Sequence, residues 1–158
     1  MAVLNIVKEG DPILRKTSRP VEEITPRILT LLDDMVETMH AAKGCGLAAV
    51  PVGVLRRLVV IEDEEGKLYE LINPRIVARA GTQEESEGCL SIPGVYGITR
   101  RPKAVTVRAL DRHGNEVEYT GKGLLARAFC HELDHLDGVL FTDGMIRRLG
   151  RDEVEVDE

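Results

Sequence analysis

His131-Glu132-Leu133-Asp134-His135 carries the most directly legible chemistry in this chain. On an α-helix, residues four apart share one face, one turn apart, so His131 and His135 can grip a single metal ion. Glu132 lies about 100° around that helix and can reach a water beside the ion rather than the ion itself. Two ligands and a proton carrier are the minimum set for metal-assisted hydrolysis. The plainer reading is a structural histidine pair with its own hydrogen-bond partners. With four histidines in 158 residues, a chance pentad is rare, and the metal reading is preferred.

A catalytic site usually has three protein ligands and one open position. Downstream, Gly138 matches the glycine of the metzincin pattern, but the following ligand position holds Phe141, which cannot bind metal. Glu153, Glu155 and Glu158 lie in the acidic segment 151–158, which reads as a solvated, disordered tail rather than a ligand-bearing helix. Upstream, Glu87-Gly88-Cys89-Leu90-Ser91 offers Cys89. A thiolate with two imidazoles suits Zn, Fe, Co or Ni. A lone cysteine is otherwise a small buried hydrophobe.

Three motifs in order now stand out: Gly44-Cys45-Gly46-Leu47-Ala48-Ala49-Val50-Pro51, then Glu87-Gly88-Cys89-Leu90-Ser91, then the pentad. With Gly10-Asp11-Pro12-Ile13-Leu14-Arg15 ahead of them, the chain from about residue 5 to residue 148 resembles the peptide deformylase family. That resemblance implies one ion per chain, held by Cys89, His131 and His135. It implies Fe(II) as the native ion, with Zn, Ni or Co as substitutes. It makes Glu132 the general base and the Leu90 backbone N–H a donor to the carbonyl oxygen. Gly44, Cys45 and Gly46 would form a wall against which an extended peptide pairs as an added strand. The two glycines let backbone approach substrate closely. Cys45, Leu124 and Ala128 would take the methionine side chain, and Glu87 and Ser91 would brace the loop around Cys89. The implied reaction removes the N-formyl group from the N-terminal methionine of nascent polypeptides and releases formate.

Two positions depart from the family pattern. The first motif should end in glutamine, whose amide donates to the carbonyl oxygen, and this chain has Pro51. Proline has neither a side-chain donor nor a backbone N–H. Losing one oxyanion donor typically costs roughly 3–4 kcal/mol. The alternative reading is therefore a degenerate or altered-specificity relative that binds metal and peptide N-termini with low deformylase activity. An amidase with a changed acyl preference is a variant of it. An unrelated zinc peptidase is disfavoured by Phe141 and the missing downstream glutamate. Cys130 replaces a glutamine common before the first metal histidine; it points off the metal face and reads as packing.

The elements that must position these groups fit one domain, residues 1–150, followed by the tail. Asp11-Pro12 caps a short turn. Thr25-Pro26 opens a long helix with Ile28, Leu31, Leu32, Met35 and Met39 inward, ended by Gly44. Strands follow at Leu58–Ile61, Leu68–Ile72, Ile76–Ala80, Ala104–Leu110 and Glu116–Tyr119, the last two joined by a hairpin through 111–115. His113 lies in that turn and is no ligand; His40 suits the end of its helix. Thr120 and Gly121 open the metal helix, Leu124, Ala128, His131 and His135 form its stripe, and Gly138 stops it. The expected class is α+β: antiparallel β-sheets packed around a central metal-binding helix.

Hydrophobic residues are 43% and net charge is −6, which argues against general nucleic-acid binding and specific DNA recognition. Arg100-Arg101-Pro102-Lys103 reads as a solvated strand entry, with contact at the ribosome exit region a lesser reading. No apolar run is long enough for a membrane, and nothing resembles a signal peptide. Cysteines number three, an odd and sparse set that points to the reducing cytoplasm.

Overall fold

A computed structural model describes residues 2–150. After a 3-10 turn at Pro12–Arg15, capped by the Asp11 side chain on Ile13 N–H, comes helix α1, Pro26–Ala41. The Thr25 hydroxyl accepts from Ile28 N–H, and Pro26 fills the first turn, where an N–H would have no partner. Leu32, Met35 and Met39 are buried on its inner face, with Ile28 and Leu31 packed beside them. The helix ends earlier than expected. Ala42 is its cap and Lys43 takes the left-handed conformation (φ 57°), so Gly44 is released for another purpose.

Five strands form one antiparallel sheet: β1 (Gly46–Ala48), β2 (Leu58–Glu62), β3 (Leu68–Ala80), β6 (Ala104–Leu110) and β7 (Glu116–Lys122), in the order β1-β2-β3-β6-β7. The two strand segments expected at 68–72 and 76–80 are one strand. Asn73-Pro74 does not end it; register shifts between Ile72 and Arg75, with Asn73 left-handed (φ 53°). The Asn73 side chain accepts from Val21 N–H and donates to Val21 carbonyl, which ties the loop before α1 to the bulge.

A second sheet, β4 (Gln83–Cys89), β5 (Ile92–Arg101) and β8 (Met145–Arg148), has the order β4-β5-β8. None of these three strands was expected. β4 and β5 are glycine-broken, β8 is only four residues long, and none of the three shows a clean apolar alternation.

Helix α2, Leu124–Leu136, packs on the first sheet through Ala126, Phe129, Cys130, Leu133 and Leu136. Thr120 and Gly121 lie in β7, so the helix starts at Leu124 with Gly123 as its cap. Gly138 takes φ 74° and closes the helix as expected, tight against the Arg15 backbone. Cys130 is buried in that core, as its packing role requires. No helix among the described residues is long and apolar enough to cross a membrane. The expected tail at 151–158 lies outside the described residues.

Candidate metal centre

The inward stripe of α2 forms the floor of a cavity of about 460 Å³, walled by the first motif on one side and by β4 on the other. Leu124, Ala128, His131, Glu132 and His135 line it from the helix; Gly44, Cys45, Gly46 and Pro51 from the first motif; Glu87, Cys89, Leu90 and Ser91 from the second. Every residue singled out from the sequence as ligand, base, donor or substrate contact meets in this one cavity.

One ligand atom each from Cys89, His131 and His135 lies within 4.8 Å of the others. Cys89 Sγ is 3.4 Å from His135 Nε2. His131 Nδ1 donates to Glu87 Oε2 at 2.5 Å, which fixes the tautomer and leaves Nε2 for an ion. The charge balance also fits a cation. Burial lowers the His131 pKa, but the neighbouring Glu132 and the hydrogen bonds with Cys89 and Glu87 raise it well above its ordinary value. His135 behaves oppositely, pushed down to about 3 by burial and by His131. Its Nδ1 is buried without a partner. A divalent ion would satisfy the excess negative charge that otherwise falls on one imidazole.

Glu132 is 7% exposed. Burial raises its pKa, while His131 and an Ala48 backbone hydrogen bond oppose the rise. A raised carboxylate pKa suits a group that takes and returns a proton near neutrality.

The glycines of the first motif serve the other two motifs. A Cβ on Gly46 would lie 2.8 Å from Glu132 Oε2, and one on Gly44 would lie 2.9 Å from Leu90 Cδ1. The sequence assigned the missing side chains to substrate approach, whereas in the fold that space is filled from the protein side. Pro51 is buried on the same cavity, in a 3-10 turn at Val50–Val52, and its carbonyl accepts from Val7 N–H at 2.7 Å. Ser91, expected as a brace, has a fully buried hydroxyl with no partner, while its carbonyl accepts from Glu9 N–H. The N-terminal segment 7–9 therefore clamps both site loops by backbone bonds.

Sequence reading missed Arg101 and Asp134. Arg101 is no solvated strand entry: its side chain is 12% exposed and bridges Glu87 at 2.7 Å and Asp134 at 2.6 Å. Thr99 adds a hydroxyl donor to Glu87. Burial raises the Glu87 pKa, but the His131 and Arg101 hydrogen bonds override it and bring it to about 2. Arg100 pairs with Glu84. Arg101 ends strand β5, and no spacing rule singles it out. Phe141, the residue that broke the metzincin pattern, stacks on His131 with ring centroids 6.0 Å apart.

The polypeptide deformylase family model matches residues 3–150. A peptide deformylase of Caldanaerobacter subterraneus subsp. tengcongensis is 59% identical over 98% of this chain and 97% of its own length. One of Acetivibrio thermocellus is 59% identical over 98% and 91%. Among solved structures, a peptide deformylase from Legionella pneumophila superposes with TM-score 0.88 at 46% identity, covering 91% of this chain and 86% of that one. A peptide deformylase from Ehrlichia chaffeensis in complex with actinonin superposes with TM-score 0.89 at 43% identity, covering 92% and 90%.

Proposed function

The chain belongs to the polypeptide deformylase family, a family of metal-dependent hydrolases acting on nascent formylated peptides, and we propose how its own residues perform that reaction. Cys89, His131 and His135 hold the ion, and Fe(II) is the native one, with Zn, Ni or Co able to substitute. The observation that carries this reading is the convergence of three ligand atoms within 4.8 Å on the cavity that also holds Glu132. When bound, a divalent ion supplies Lewis-acid chemistry and lowers the pKa of an attacking water toward neutrality.

Glu132 takes a proton from that water at its carboxylate, and the water oxygen bonds to the formyl carbon. The Leu90 backbone N–H donates to the formyl oxygen as it gains charge. The C–N bond then breaks, Glu132 returns the proton to the amine nitrogen, and formate leaves with a free N-terminus. Arg101, through Glu87, holds the His131 ring in place. The peptide lies extended between residues 44–46 and β4, with its methionine toward Cys45, Leu124 and Ala128. Residues 1–150 form the catalytic domain, and a substrate made on ribosomes puts its work in the cytoplasm. In the run at Arg100-Arg101, Arg101 is engaged by Glu87 and Asp134, and Arg100 pairs at the surface with Glu84.

The test is formate release from formyl-Met-Ala-Ser by anaerobically Fe(II)-loaded protein. Turnover that disappears in Glu132→Gln and is blocked by actinonin supports the assignment. Silence in wild type with metal bound at one ion per chain overturns it.

A further inference from the structure

The first cavity carries two cations that no carboxylate neutralises. Lys43 and Arg127 both line it. Among the described residues, no ion pair to an acidic group involves either. Of Arg127's five donors, Nη1 reaches the Ser86 carbonyl at 2.8 Å, and Nε is buried with no acceptor. The cavity's own carboxylates are committed. Glu87 is held by Arg101, Thr99 and His131, and the Glu132 carboxylate has a backbone hydrogen bond from Ala48. The chain as a whole is acidic at −6, so a positive outer wall here is a local feature.

Position decides what this charge can meet. Arg127 sits one turn before His131 on α2 and reaches across to β4; its charge is also felt at the Cys45 thiol on the opposite wall. It therefore lies on the floor of the channel, outward from the ligand cluster. Side chains of an extended peptide alternate, so residues 1 and 3 face the same side, about 6.6 Å apart. With residue 1, the methionine, over Ala128 and Leu124, a residue-3 side chain on the same side of the strand comes within reach of the guanidinium that Arg127 extends toward the Ser86 carbonyl.

We infer that this chain favours formylated peptides with an acidic third residue, whose carboxylate is received by Arg127 with Lys43 at the rim. The inference rests on the deformylase reading and on the extended peptide pose. A guanidinium fork with free donors matches a carboxylate in charge and geometry. The start of α2 at Leu124 has no side-chain cap, which adds potential of the same sign. An adjoining groove is lined by Glu62, Asp63, Glu64 and Glu65 and shares Lys43, Cys45 and Leu124 with the first. A third residue turned that way would favour lysine instead, so the two placements predict opposite preferences.

The test compares formyl-Met-Ala-X-Ala amides with X as Asp, Ala or Lys, so that no terminal carboxylate competes. The expected order of kcat/KM is Asp, Ala, Lys, with about tenfold between the ends, carried by KM and shrinking in 0.5 M salt. Arg127→Met, which keeps the apolar stem, is expected to erase most of that ratio, and Lys43→Asn a smaller part. Thermal melts confirm that both variants fold. Calorimetric binding of the deformylated Met-Ala-X-Ala amides reads the same preference without turnover. Loss of catalysis with the binding order intact would count against the mechanism only. Equal binding and turnover of the Asp and Lys peptides, a lysine preference, or an Asp preference that survives Arg127→Met would overturn the inference.

Discussion

Glu132 occupies the place where a side chain on Gly46 would begin: an added Cβ would meet its Oε2 at 2.8 Å and its Cγ at 3.0 Å. The first motif and the pentad are thus interlocked, and a backbone position more than 80 residues away sets where the base can stand. Gly46→Ala is expected to displace the carboxylate, because a buried glutamate has nowhere to swing. A shift of order 1 Å costs about a hundredfold in kcat. Metal content, measured beside kcat, should stay at one ion per chain. An unchanged kcat would show that Glu132 is free to move.

Pro51 faces the cavity at the position where the family resemblance implies an amide donor. Pro51→Gln is expected to raise kcat by about a hundred- to a thousandfold, with KM little changed, since an oxyanion donor acts in the transition state. Steady-state kinetics on formyl-Met-Ala-Ser decides it. An equal rate in both proteins would mean that the carbonyl oxygen is already fully served, with the Leu90 N–H and the ion as the groups that serve it.

Glu87 makes the site sensitive to acid. Its pKa is held at about 2, below the ordinary glutamate value of 4.5, so its stabilisation is complete above that range and is lost as pH falls from about 4.5 toward 2. The contribution is on the order of 3 kcal/mol at neutral pH. Glu87→Gln should flatten the acid limb of an unfolding titration in that window. It should also weaken metal retention about ten- to a hundredfold, because His131 loses the acceptor that orients it. Retention equal to wild type would remove Glu87 and Arg101 from the metal's support.

Cys89→Ala removes the only sulfur ligand. Wild-type protein is expected to gain on the order of 10 °C in melting temperature with metal at a thousand times its Kd. The variant should gain little. A full metal-dependent shift in the variant would place the ion elsewhere.

The metal helix was legible because its signal is local. A spacing of four puts two imidazoles on one face of any α-helix, and His131 and His135 need no tertiary information to be paired. The same holds for the α1 stripe and the Asp111–Asn115 hairpin, where short-range turn chemistry sets the structure. The second sheet was not legible. Its strands β4 and β5 carry polar residues on both faces, and their stability comes from pairing with each other and from contacts around the site.

The sequence by itself determined which residues could do chemistry: two histidines at helical spacing, a glutamate between them, and motifs that supply a thiolate and a glycine-rich wall. Only the tertiary structure decided how those groups are held. Arg101 reaches Glu87 because the β4–β5 register sets Gln83 opposite Arg101 and Glu87 opposite Gly97, which puts both side chains on one face toward α2. That outcome depends on a pairing register, in which a slip of one residue would turn each side chain to the other face. The space at Gly44 and Gly46 is likewise a property of packing between distant segments, which no local pattern encodes.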